Sequence, residues 1–226
     1  MQYIKVYAAL IRSKLHEFYT LPIFLVYIGI VIILVSVVII AITQDVQVFY
    51  LMDDAIRVGH LPFYAGFVAS IMILLWCVGG TISFFGYWLL DNSKDPTSRS
   101  FLLWGGIISY MLLFDDLFLI HETIGDNTDI PEVAVFSLYG LLVIYYLLRY
   151  RQIILETSFL FLLVSLAFLG LSVVIDIHLF VPEKWYHTSI ETGIEESFKL
   201  IGITHWALYH YKVGYQFIKG NAKISQ

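Results

Sequence analysis

Apolar residues fall in this chain as long unbroken runs, not as the one-sided stripe of a soluble helix or the alternation of a strand. Residues 21–42 and 61–90 contain no Asp, Glu, Lys, Arg or His, and 157–175 is a third clean run. Each approaches or exceeds the roughly 20 helical residues that cross a bilayer core. Three further runs, at 101–120, 133–148 and 187–211, carry polar groups only at intervals or at their ends. Barrel strands alternate apolar and polar positions over about ten residues. These runs are apolar on every side, and only a helix satisfies its own backbone over such a length in lipid. The pattern predicts an all-α, polytopic bundle of six transmembrane helices in one domain, residues 21–217, followed by a short tail, 218–226.

Residues 1–20 follow a different rule. Ile4, Tyr7, Ala8, Ile11, Leu15 and Phe18 form a helical stripe, with Lys5, Arg12, Lys14 and Glu17 off it. That spacing predicts an N-terminal amphipathic helix lying in the membrane interface. The segment lacks the uninterrupted apolar core and small-residue cleavage site of a secretory signal.

Composition agrees with the runs. The chain is 59% hydrophobic and 14% charged, which excludes an ordinary soluble domain of 226 residues. The single cysteine, Cys77, excludes an internal disulfide and a thiolate metal cluster. No nucleic-acid partner is expected; the expected partners are membrane lipid or a lipid-like substrate, and an assembly of like chains is compatible with the sequence.

Charge sets the orientation. Ten of the 13 Lys and Arg residues lie in the N-terminal segment, the loops after spans two and four, and the C-terminal tail, whereas the opposite loops hold only Arg57 and Lys184. Positive loops stay cytoplasmic, so both termini are predicted inside, the plain setting being a bacterial inner membrane. The outer loops are acidic, with Asp45, Asp53 and Asp54 in the first and Glu122, Asp126, Asp129 and Glu132 in the second.

Ionisable residues within spans cost a few kcal/mol each to insert and mark a functional site by default. With this topology Asp116 lies about 9 Å, Asp176 about 8 Å, and Glu195 and Glu196 about 12 Å below the outer ends of spans three, five and six, from the helix rise alone. Three helices thus place carboxylates at one depth. Asp116 continues a small-residue stripe with Gly105 and Ser109, and Asp176 one with Ser165 and Ser172, which turns both into the bundle. Asp115 lies about 100° away, on the face of Glu122, and with Glu122, Glu191 and His187 is expected in a wetter vestibule. Lys199 follows Glu195 and Glu196 at helical pairing distance.

Carboxylates with histidine are a ligand set for Zn, Fe or Mn. The candidate ligands of a divalent metal ion are Asp116, His121, Asp176, Glu195, Glu196 and His178. Glu196 is the candidate general base beside a metal-activated water, and Lys199 the group that tunes its charge. The His-Glu-x-x-His and Glu-x-x-His patterns are absent. The leading expectation is a metal-dependent membrane enzyme, a hydrolase of a lipid-like amide or ester or a di-metal oxidoreductase. The alternatives are a cation or proton channel or transporter using the acidic outer vestibule, and a non-catalytic accessory subunit whose ion pairs pack helices.

Overall fold

The structure, a computed structural model, describes residues 21–52, 55–91, 95–177 and 188–224, and all regular structure among them is helical. The interfacial helix expected over residues 1–20, and the candidate residues His178 and His187, lie outside the described residues. The chain divides between Ala65 and Gly66 into two compact units.

The first unit contains α1 (Leu21–Thr43) and two short helices, α2 (Val48–Met52) and α3 (Ala55–Val58). The second contains α4 (Phe67–Leu89), α5 (Pro96–Phe118), α6 (Ile120–Asn127), α7 (Glu132–Arg149), α8 (Arg151–Glu156), α9 (Phe159–Asp176) and α10 (Ser189–Ile224). Among the described residues, α4, α5, α7 and α9 are long and apolar enough to cross a membrane, and α1 contributes the shorter apolar helix Ile28–Thr43. The apolar runs therefore become helices close to their predicted limits, and the differences have local causes. Pro62 and the left-handed Gly66 (φ 66°) delay the start of α4 to Phe67. Asp95 caps α5 by accepting from the Ser98 amide at 2.9 Å, with Pro96 in the first turn, so this helix begins before its apolar run does. No proline interrupts α10, which continues through the residues expected as a tail to Ile224.

α10 is the centre of the second unit. It packs against α9 on one side and α4 on the other, and α4 packs against α5. The fully buried side chains come mainly from α5 and α10: Phe101, Leu102 and Ile108 from the first, Ile203, Trp206, Tyr209 and Val213 from the second. Phe101 stacks on Tyr146 of α7 at 5.3 Å. α7 otherwise keeps a broad apolar face exposed, as a wall turned to lipid would.

Glycine sets the closest helix approach. A Cβ at Gly202 of α10 would lie 2.7 Å from Leu169 Cγ and 2.9 Å from the Leu169 backbone nitrogen in α9. A side chain can rotate away from such a contact, but a backbone cannot. Gly202→Ala is expected to lower stability by about 1–3 kcal/mol, the usual cost of overpacking, read as a fall in unfolding temperature of the purified protein in detergent. Gly193→Ala, on the same helix with nothing within 4 Å of its Cβ, is the matched control and should be neutral or stabilising.

Candidate functional site

The break between α5 and α6 creates the site. Leu119 has left-handed backbone angles (φ 49°, ψ 49°), and its amide still donates to the Asp115 carbonyl. A continuous helix would carry residue 121 onward from residue 115. The break turns it back instead. The His121 amide donates to Asp115 Oδ1 at 3.1 Å, and His121 Nδ1 lies 2.7 Å from Asp115 Oδ2. Tyr139 of α7 donates its hydroxyl to Asp115 Oδ1 at 2.9 Å. Asp115 is only 3% exposed and His121 is buried.

This corrects the placement of Asp115. Helix phase put it in a wet vestibule with Glu122, but the bend at Leu119 encloses it and gives both its oxygens donors. In the tautomer that donates Nδ1–H to the Asp115 carboxylate, Nε2 of the neutral ring is left as the acceptor. Nε2 lies 3.8 Å from Glu122 Oε1. The bond from Asp115 raises the His121 imidazole above its ordinary value of 6.5, with burial opposing the rise. The Phe136 ring packs 4.8 Å from the imidazole ring.

A second nest adjoins the first. Trp76 of α4 donates Nε1–H to Asp116 Oδ2 at 2.7 Å. Lys199 Nζ stands 3.8 Å from Asp116, 3.9 Å from Glu195 and 3.6 Å from Glu196. One cation thus serves three carboxylates from two helices. Trp76 is held in turn by an edge-to-face contact with Trp206 at 5.7 Å, and Trp206 donates to Ser109 at 2.8 Å.

The two nests close one end of an apolar cleft of about 430 Å³ between α7 and α9. Asp115, Asp116, His121, Tyr139, Asp176 and Lys199 line it together with Trp76, Phe136 and Ser172, and aliphatic residues and two glycines make up the rest. A separate cavity of about 620 Å³ is lined by Glu122, Glu132, Asp176, Glu191 and Glu195. Asp176 borders both cavities. Glu191, expected in the vestibule, does line this acidic cavity, but its side chain is largely buried there.

The predicted residues are thus brought together in pairs and nests. Asp116, Glu195, Glu196 and Lys199 meet, and His121 meets Asp115. Among the described residues no group of three or more His, Cys, Asp or Glu side chains is placed to hold a metal ion. Sequence reasoning missed Trp76 and Tyr139, the neutral donors that orient the two aspartates. Both lie in apolar runs, Trp76 in 61–90 and Tyr139 in 133–148. An aromatic group with one polar atom in a span opposite an acidic residue was the available signal.

No curated protein and no solved structure matches the chain. A family model does match, over residues 25–213. That stretch takes in both nests and both walls of the cleft, so the chain, with the site just described, belongs to the family described as a domain of unknown function (DUF8692).

Proposed function

We propose that the protein is a membrane-embedded hydrolase in which the Asp115–His121 pair activates water against a lipid-like amide or ester. The observation that carries this reading is the 2.7 Å contact that pins His121 Nδ1 to a buried carboxylate and leaves Nε2 as the free base. A carboxylate that fixes the tautomer of a histidine and stabilises its charged form is the recurrent arrangement of acid–base catalysis. The distribution of Lys and Arg supports six spans with both termini in the cytoplasm of a bacterial inner membrane. The site then opens to the outer leaflet.

In this reading Nε2 removes a proton from a water molecule whose oxygen bonds to the substrate carbonyl carbon. The imidazolium formed is stabilised by Asp115. When the tetrahedral intermediate collapses, the carbon–nitrogen or carbon–oxygen bond breaks and His121 returns the proton to the leaving amine or alcohol. A carboxylic acid is the other product. Lys199 lines the same cavity, where its charge, shared with Asp116, Glu195 and Glu196, offsets part of the negative charge around the reacting group. Glu196, the base expected from sequence, is engaged by Lys199, and that role passes to His121. The test is hydrolysis of N-acyl and O-acyl lipids by the purified protein, compared with His121→Asn; no turnover of any such lipid by the native protein would defeat the reading.

A second reading keeps a divalent ion, Zn, Fe or Mn, on His121 Nε2. Histidine ligands commonly hold a metal through one nitrogen while the other donates to a carboxylate, and Glu122 stands beside Nε2. The metal would act as a Lewis acid toward the carbonyl. Here chelation is expected to abolish hydrolysis and the metal to restore it, with about one ion per chain by elemental analysis. Full activity in metal-free protein would leave only the acid–base reading.

A further inference from the structure

Glycines in membrane helices ordinarily mark close helix contacts, and most of those in the second unit do. A Cβ at Gly80, Gly105 or Gly202 would meet a neighbour at 2.6–2.7 Å. Gly140 of α7 and Gly170 of α9 break this rule, as does Gly193 near the start of α10, which does not line the cleft. A Cβ at Gly140 or Gly170 meets nothing within 4 Å, and neither has a positive φ that would demand glycine. Both line the 430 Å³ cleft, one on each wall. A glycine inside a helix is less favourable than alanine. These two neither pack helices nor turn the chain; what they do is widen the cleft.

The rest of the wall says what fills that width. Val143 and Leu147 of α7 face Leu166 and Val173 of α9, and the lining between Tyr139 and Leu147 runs about 12 Å along the helix. The cleft is largely apolar along this length, with Ser172 its one hydroxyl on the α9 wall, and is charged where it meets the two nests. At that end three carboxylates, Asp115, Asp116 and Asp176, stand with two cation-forming side chains, His121 and Lys199. Lys199 is already shared with Glu195 and Glu196. The head position therefore carries excess negative charge, which repels a fatty carboxylate or a phosphate and accepts a neutral or cationic group.

We propose that the cleft between α7 and α9 binds the single hydrocarbon chain of a neutral or cationic amphiphile, such as a fatty amide, with its head at the Asp115–Lys199 end and Gly140 and Gly170 leaving room for the tail. This specifies the substrate class and rests on the hydrolase reading for what happens to the head.

The experiment uses the full chain in detergent micelles and a hexadecanamide probe carrying a photoreactive diazirine at mid-chain. Labelling is expected to concentrate on α7 and α9 wall residues. Hexadecylamine should compete, and hexadecanoic acid about tenfold or more weakly. Gly140→Leu with Gly170→Leu should reduce labelling about tenfold or more, while Leu141→Phe, on the exposed face of α7, leaves it unchanged. His121→Asn should retain the label while losing turnover. Specific labelling of a native protein that hydrolyses neither amide nor ester would sink the hydrolase reading and leave the cleft assignment standing. Turnover accompanied by label spread evenly over the lipid-facing helices, and indifferent to the leucine pair, would overturn the cleft assignment. Preferential competition by the carboxylic acid would overturn the charge argument and with it the substrate class.

Discussion

Lys199→Met is expected to lower the stability of the purified protein by about 3 kcal/mol near neutral pH, at the low end of the cost of stripping a partner from a buried charge pair. The Lys199 ammonium stands within 4 Å of Asp116, Glu195 and Glu196, and its side chain is 23% exposed. Water screens these charges only in part. Methionine keeps most of the apolar stem, so packing changes little and the loss is electrostatic. Without the cation, three carboxylates from two helices repel one another across a small space. Acidification neutralises them, so the deficit of the variant should shrink as the pH is lowered. Denaturant or thermal unfolding in detergent at two pH values measures this. An equal deficit at both would assign the role of Lys199 to packing, and the charge argument would fail.

The largest effect on turnover is expected at the Asp115–His121 pair. His121→Asn removes the base and should lower the rate of lipid amide or ester hydrolysis by about 10²–10⁴. Asp115→Asn keeps the shape but replaces an acceptor with an amide that no longer fixes the ring tautomer, and a comparable loss is expected. Because the two act as a unit, the double variant should be little worse than either single change. The pH profile adds a signature. Asp115, Glu122, Asp176 and Lys199 are the charged groups acting on the imidazole, with the Tyr139 hydroxyl on Asp115, and the bond from Asp115 dominates, raising it above 6.5. Hydrolysis requires the neutral ring, so it should rise with pH through that raised value. The stability contributed by the charged pair has the opposite sign: it is fully present below the ordinary value and is lost as pH rises through the raised one. Turnover that falls over the window in which His121 deprotonates would remove it as the base.

The apolar spans were readable because lipid leaves the backbone few options, so unbroken runs such as 21–42 and 157–175 give helix positions almost directly. The expectation that Asp116, Asp176, Glu195 and Glu196 share one depth came from the rise per residue once the runs were set. Partnership was harder to read. It depended on Leu119, a residue with no glycine-like or asparagine-like sign of a left-handed turn. A helix drawn straight through it separates Asp115 from His121 and groups Asp115 with Glu122. The partners Trp76 and Tyr139 were hidden for another reason: each is a largely apolar side chain in an apolar run, and its one polar atom matters only opposite a particular aspartate. The openness at Gly140 and Gly170 was equally invisible, since sequence cannot separate a glycine that admits a neighbouring helix from one that leaves a gap.

Leu119 also makes the corner a loaded spring. A leucine held left-handed is strained by about 1–2 kcal/mol, and the Asp115 side chain grips the backbone and ring of His121 beyond the bend. Cut that grip and α5 and α6 can relax toward one straight rod, which swings His121 out of the cleft. The same carboxylate therefore sets both the reactivity of the base and its address. Asp115→Ala, unlike Asp115→Asn, is expected to leave a chain that folds but aims its histidine elsewhere, so a small acid added back to the solution should not rescue it.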